Sequence, residues 1–155
     1  MTFPLILALA LNGMLAGMTV DQSVKQLPAR RTIGAAAFSR YSRAADLKNG
    51  VPLYAFFGLG APASCLWLAF SAVQRSGWDT SVSIAALASV LFSLGQLATT
   101  AFAAPTNFSQ RRHALSEEAA LTRIFDRFDA LQTWRTICIL LAFASVLWSE
   151  ASDGL

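Results

Sequence analysis

Charge and histidine are both scarce in this chain. Only 14% of the 155 residues are charged, against about 25% in an ordinary soluble domain, while 55% are hydrophobic and the mean hydropathy is +0.49. The one histidine, His113, stands next to two arginines. A single histidine cannot supply the two imidazoles of a bis-histidine haem or the ligand clusters of copper and di-iron sites. We therefore expect no metal and no cofactor, and we interpret His113 as a solvated loop residue.

Charge is missing above all from four long apolar stretches, at residues 3–20, 51–73, 82–104 and 133–148. Each has, or reaches with its flanks, the roughly 17 to 25 residues that a membrane-spanning helix needs. A soluble helical bundle would need polar outer faces on its helices, and these stretches have none. The sequence therefore predicts an all-α, integral membrane four-helix bundle, a multi-pass protein in which residues 1–155 form one transmembrane domain.

Lys and Arg are absent from both ends of the chain, and the second connection has only Arg75. Since these residues collect on the cytoplasmic side of short loops, we predict non-cytoplasmic termini, cytoplasmic connections after the first and third helices, and a plasma (inner) membrane location. Tyr54 and Trp134 fall at the predicted inner ends of their helices, as interfacial anchors do. Topology and anionic lipid also explain the pI near 9.3, so no nucleic-acid partner is expected. The other basic residues lie in or beside the two long connections: Lys25, Arg30, Arg31, Arg40, Arg43, Lys48, Arg111, Arg112, Arg123, Arg127 and Arg135.

The first stretch has an alternative interpretation as a signal peptide, because Ala8-Leu9-Ala10 resembles a small-residue cleavage site. The charged n-region of such peptides is missing, and the apolar run continues to Val20. We therefore expect a retained first helix.

The two long connections carry helical signals of their own. Residues 29–48 place apolar side chains among basic ones, which predicts a helix lying at the inner membrane interface and ended by Asn49-Gly50. Ser116 is a favourable N-cap, and apolar residues recur at helical spacing after it. Because no proline or glycine follows before Gly154, the sequence predicts one long helix over residues 117–148, half of it outside the membrane.

Small residues within the apolar stretches predict close helix packing, with Gly13 and Gly17 four residues apart on one face of the first helix. Asn12 and Gln96 are polar residues at mid-span, where burial costs each of them hydration. They are either hydrogen-bonded packing contacts or part of a substrate site.

Further polar residues meet at the predicted inner end of the bundle. Asp21 ends the first helix, Asn107 follows the third and Arg135 begins the fourth, so an up-and-down bundle brings them to one level. Phe128, Gln132 and Arg135 occur at i, i+4 and i+7 and therefore share a helix face. The sequence predicts a site at this end, with one wall made by an aromatic ring, an amide and a guanidinium.

Part of this pattern is similar to that of a known family. Pro105-Thr106-Asn107, followed by Phe128, Gln132 and Arg135 entering the fourth helix, resembles the small four-helix membrane proteins that include the anthrone oxygenases. Their usual form is Pro-x-Asn and then Trp-x-x-x-Asn-x-x-Arg. Pro105, Asn107 and Arg135 match it, whereas Phe128 replaces the tryptophan and Gln132 the asparagine.

The resemblance implies the oxidation of a reduced polycyclic phenol by dioxygen without metal or flavin. An anthrone loses a carbon-bound proton to give an anion that dioxygen attacks, so the site needs a base and donors for the charged oxygen. Asp21 is the candidate base, a role that needs its carboxyl to be buried, and Arg135 is the candidate donor. Alternatively, Asp21 and Arg135 form an ion pair that ties the first helix to the fourth, and Asn107 caps a turn. The candidate substrate-binding residues are Asn107, Gln132, Phe128, Asn12 and Gln96.

A second class of function stays open. A non-catalytic membrane subunit would pack against and stabilise a larger membrane complex, with Gly13 and Gly17 as a contact face. A transporter is less favoured, because the spans hold few charges and no glycine or proline break at mid-depth. The expected partners are the lipid bilayer, a hydrophobic aromatic small molecule, and further copies of the chain or a larger membrane complex. A cavity at the inner end that faces Asp21 would favour the enzyme.

Overall fold

The chain folds almost entirely into helices in a computed structural model that describes residues 2–153. These residues form four long helices and no strand: α1 Phe3–Ile33, α2 Ala35–Ser76, α3 Ser81–Ser109 and α4 Glu118–Asp153. All four are long and apolar enough to cross a membrane. The prediction of an all-helical, multi-pass membrane protein with four such helices is therefore confirmed.

The helices pack as a ring in which α4 contacts α3 and α1, while α2 contacts the same two helices from the other side. Buried apolar side chains form three clusters along the bundle, one near Leu5 and Val146, one around Leu15 and Ile139, and one around Leu27 and Phe125. The third cluster lies where α1 meets α2 and where α3 meets α4. We call this the basic end, because it carries the Lys and Arg residues at positions 25–48 and 111–127.

Two π-helical turns, Gln22–Gln26 in α1 and Ala45–Asn49 in α2, distinguish the basic end. The chain reverses between them at Gly34, whose φ of +84° is a conformation that glycine adopts readily. The prediction of a separate interface helix over residues 29–48, ended by Asn49-Gly50, is therefore wrong. Residues 27–33 are the last part of α1, and residues 35–49 are the first part of α2, which continues without a break to Ser76.

The π turn of α2 leaves no room for a side chain at Gly50. Its amide donates a hydrogen bond to the carbonyl of Ala45 and closes the π turn. A Cβ at this position would lie 2.8 Å from that carbonyl oxygen and 2.9 Å from the ring of Tyr54. The glycine that suggests a helix end in the sequence is the residue that allows the helix to continue through the wider turn.

The ends of α3 and α4 also differ from the sequence-based bounds. α3 passes through Pro105 and ends at Ser109, so Asn107 lies within the helix and does not follow it. A proline removes only one amide donor from a helix, and the surrounding packing maintains the rest. The carbonyl of Glu117 accepts the Leu121 amide at 3.1 Å, so Glu117 and not Ser116 is the N-cap of α4.

The helices are longer than a bilayer is thick. At a rise of 1.5 Å per residue, the 36 residues of α4 extend over about 54 Å, against about 30 Å for the hydrocarbon core of a membrane. The two long connections at the basic end are thus mostly helical continuations of the bundle and not flexible loops. They lie directly over the site described next.

Candidate functional site

A cleft of about 310 Å³ lies between α2 and α3 near the basic end. Its inner wall is made by buried side chains of all four helices, among them Gln22 of α1 and Phe128 of α4. Apolar residues supply most of the lining. The polar residues that line it are Gln22, Asp46, Tyr54, Thr100, Asn107 and Arg135.

Arg135 is the buried cation of the cleft. Its side chain is packed so that the residue is only 8% exposed, and its Nη1 donates to Oε1 of Gln132 at 3.2 Å. Its Nε has no hydrogen-bond partner, and no carboxylate of residues 2–153 lies within 4.0 Å of the guanidinium. Burying a cation without a counter-ion is costly, so this arrangement leaves strong donors available to a negatively charged or polar ligand atom.

Asp46 is the acidic residue that lines the cleft, and the π turn of α2 places it there. It is 9% exposed, and its Oδ2 accepts a hydrogen bond from Ser42 Oγ at 2.8 Å. No Lys or Arg of the described chain pairs with it. A buried carboxyl of this kind, beside a cavity and without a cationic partner, can exchange a proton with a bound ligand.

A buried hydrogen-bond network connects this carboxyl to Asn107. Gln110 Nε2 donates to Asn107 Oδ1 at 2.7 Å and to Ser42 Oγ at 3.3 Å, and Gln110 Oε1 accepts from Ser39 Oγ at 2.9 Å. The amide oxygen of Asn107 is thereby fixed, while no described residue accepts a hydrogen bond from the Nδ2 atom of Asn107. The network holds the end of α3 against the start of α2 and sets the positions of both Asp46 and Asn107.

Asp21 lies outside the cleft. Its carboxylate forms an ion pair with Lys25 and accepts a hydrogen bond from Gln26 Nε2 at 2.6 Å, and its side chain is 38% exposed. It is therefore not the buried carboxyl that the role of base requires. The alternative ion pair with Arg135 is not formed either, because each of the two residues has a different partner.

A different ion pair ties α1 to α4. Arg30, which is buried, donates to Asp126 Oδ1 at 2.9 Å and lies over the ring of Phe125. Sequence analysis did not select this pair. It holds the two helices together at the third cluster, which also contains the cleft residue Phe128.

The other candidate residues divide into three groups by their place relative to the cleft. Phe128, Asn107 and Arg135 line the cleft together. Gln132 is fully buried behind Arg135 and orients its guanidinium. Two others lie in the packed interior and do not line the cleft: Asn12, which donates to the Ala8 carbonyl at 2.9 Å and to Cys65 Sγ at 3.3 Å, and Gln96, which donates to Thr100 Oγ1 at 3.3 Å.

Sequence reasoning missed Gln22, Asp46 and Tyr54. One signal for Asp46 was available, since it is the only acidic residue between Lys25 and Gly50 in a basic segment. The sequence predicts that Tyr54 is an interface anchor, and in the structure it also lines the cleft. No pattern in the sequence indicated the two π turns that supply Gln22 and Asp46.

Comparison of the chain with known protein families, with curated proteins and with solved structures gives no match. Within residues 2–153, no three His, Cys, Asp or Glu side chains are grouped closely enough to hold a metal ion. The side chains themselves define what the cleft can accept, with apolar walls for a hydrocarbon framework and convergent donors for an oxygen atom.

Proposed function

We propose that the cleft binds a hydrophobic aromatic compound through an oxygen that carries negative charge, and that the protein oxidises this compound with dioxygen. The observation that carries the binding proposal is Arg135, a buried guanidinium without an acidic partner that lines the cleft. A volume of about 310 Å³ is within the range of about 300 to 1,000 Å³ of small-molecule pockets. The resemblance to anthrone oxygenases supports the class of reaction.

In the proposed reaction, a methylene carbon of an anthrone loses a proton to Asp46. The negative charge spreads to the carbonyl oxygen of the anthrone, and Arg135 and Asn107 stabilise this oxygen as hydrogen-bond donors. Dioxygen then takes electrons from the carbanion and bonds to that carbon, and the resulting peroxide anion takes the proton back from Asp46 to give a hydroperoxide, which loses water. The methylene becomes a carbonyl, so one anthrone and one dioxygen give one anthraquinone and one water, with dioxygen as the oxidant. Asp46 replaces Asp21 as the proposed base, because Asp46 lies in the cleft.

The test of binding uses 1,8-dihydroxyanthraquinone, which is not oxidised further, with the purified protein in lipid nanodiscs. Replacing a charged hydrogen bond costs about 1.5 to 3 kcal/mol, so Arg135→Gln is expected to weaken binding by about 10- to 100-fold. Arg123→Gln, an exposed position on the same helix, is the matched control and keeps the wild-type affinity. Equal affinities for wild type and Arg135→Gln would contradict the proposal.

The test of the reaction follows dioxygen uptake with 1,8-dihydroxyanthrone, corrected for its spontaneous oxidation in empty nanodiscs. Wild-type protein is expected to accelerate uptake and to form the anthraquinone in equal amount. A protein that binds the anthraquinone in an Arg135-dependent way but does not accelerate uptake would disprove the oxygenase and leave a binding protein.

We also propose that the basic end faces the cytoplasm across a plasma (inner) membrane, with both termini on the opposite side. The clustering of Lys and Arg at this end supports the orientation, because such residues remain on the cytoplasmic side of the membrane.

A further inference from the structure

The mouth of the cleft is apolar and opens on the outer surface of the bundle. Val51, Ala55 and Leu59 of α2 and Phe108 of α3 line it, and all four are exposed, Leu59 by 65%. These residues belong to helices that are apolar enough to cross a membrane. On such a helix, an exposed apolar side chain at membrane depth faces lipid.

The cleft is closed toward the basic end, in contrast to its open side. Arg43 Nη2 donates to the carbonyls of Gln110 and His113, and Arg111 Nη2 donates to the carbonyl of Leu47, which itself lines the cleft. The buried network around Gln110 lies in the same layer. These contacts join the two connections over the cleft, so a ligand that came from water at this end would have to break them.

The size of the cleft limits what it encloses. At about 310 Å³ it is near the lower limit of small-molecule pockets, which suits a ring with its oxygen and not a long chain. The polar groups Arg135 and Asn107 lie on the buried side, while the exposed side is apolar. A larger ligand must therefore extend through the mouth with its apolar part.

We propose that the ligand enters the cleft sideways from the bilayer, between α2 and α3, and that it is an amphiphile. Its oxygen-bearing ring lies against Arg135, and its hydrocarbon tail passes between Leu59 and Phe108 into the lipid. This inference depends on the proposed binding function and adds the route of access and the class of ligand. The exposed apolar mouth and the closed basic end carry it.

The test uses a 4-alkylphenol with a diazirine halfway along its tail, bound to the protein in lipid nanodiscs. After illumination, the labelled positions are mapped by mass spectrometry of peptides. Saturable labelling is expected within residues 51–59 and 97–108, and it is expected to be lost in Arg135→Gln. At equal total concentrations, the untailed phenol should compete at least tenfold more weakly, because it lacks the tail that concentrates the ligand in the bilayer.

A pair of matched variants tests the route. Ala55→Trp fills the mouth and is expected to weaken saturable labelling by about tenfold, whereas Ala63→Trp, an exposed alanine two turns away on the same helix, is expected to have no effect. Size-exclusion chromatography and circular dichroism check that both variants fold.

The possible failures are distinguishable. Absence of any saturable, Arg135-dependent binding would overturn the binding function and this inference together. Arg135-dependent binding with label on residues 22–49 or 110–117, or equal behaviour of Ala55→Trp and Ala63→Trp, would overturn the sideways route alone. An untailed phenol that competes as well as the tailed one would overturn the proposal that the ligand is an amphiphile.

Discussion

Arg135 and Asp46 are opposite charges that line one cleft without forming an ion pair. Each has a neutral neighbour that fixes it, Gln132 for the guanidinium and Ser42 for the carboxyl. The two side chains therefore hold their positions while their remaining hydrogen-bonding capacity is directed to the cleft. A ligand with one acidic proton and one electron-rich oxygen would use both.

The carboxyl that acts as base is predicted to be Asp46. Asp46→Asn is expected to abolish the acceleration of dioxygen uptake with 1,8-dihydroxyanthrone while it leaves the affinity for the anthraquinone within about twofold, because an amide keeps the hydrogen bond but cannot take a proton. Asp21→Asn is the matched control, and its rate should equal that of wild type, since Asp21 lies outside the cleft and is paired with Lys25. The reverse pattern would return the role to Asp21.

Residue patterns brought together some of the residues that line the cleft and missed others for a physical reason. Phe128 and Arg135 share a helix face by spacing alone, and both line the cleft. Asp46 was not found, because a π turn changes which side chains face inward and such a turn leaves no periodic signal. The condition for Asp21 to act as base, a buried carboxyl, is not met, since Asp21 pairs with Lys25 one turn away and its side chain is 38% exposed.

Among the elements, the four spanning helices were predictable because long apolar runs report directly on burial in lipid. Their ends were not predictable from Pro105 or Asn49-Gly50, since both occur inside helices here. Tertiary contacts decide such cases, as the hydrogen bonds of Gln110 do for the end of α3. Gly34 marks the true boundary, and its positive φ explains why.

The contact of Gly95 in α3 with Cys138 in α4 gives a prediction for the packing of these helices. A Cβ at Gly95 would lie 3.0 Å from Cys138 Sγ, so Gly95→Ala is expected to destabilise the protein by about 1 to 3 kcal/mol, measured as a lower Tm of the detergent-solubilised protein. The second change Cys138→Ala should restore most of the loss, because it removes the contacting sulfur.

The control for this prediction is Gly17→Ala, since a Cβ there would meet nothing within 4 Å. Its Tm should not fall. A rise of Tm in Gly95→Ala would show that helix propensity outweighs the contact and that α3 and α4 are less tightly packed than the structure indicates.

At the scale of the whole molecule, the proposed orientation predicts which surface is accessible from each side. Arg40→Cys at the basic end and Asp79→Cys in the turn between α2 and α3 are both exposed positions. In right-side-out vesicles, a membrane-impermeant maleimide is expected to label Asp79→Cys at once and Arg40→Cys only after permeabilisation, because basic connections stay in the cytoplasm. The wild type, with Cys65 buried and Cys138 half-buried, is the background control.

The opposite labelling pattern would show that the basic end faces away from the cytoplasm and would contradict the proposed orientation.

The contact face predicted at Gly13 and Gly17 is only partly used within the chain, because Gly13 lies against Phe143 while Gly17 is open. A role in a larger membrane complex stays a prediction on that basis.

The two π turns also determine how the basic end tolerates a change in chain length. Removing one residue from Ala45–Asn49 would leave a regular α-helix, but every preceding residue would rotate by about 100° relative to α2. Ser39 and Ser42 would then turn away from Gln110, and the layer that closes the cleft would open. In most proteins the segment between two helices is where insertions and deletions are accepted, whereas here the number of residues sets the rotational phase of one helix against another.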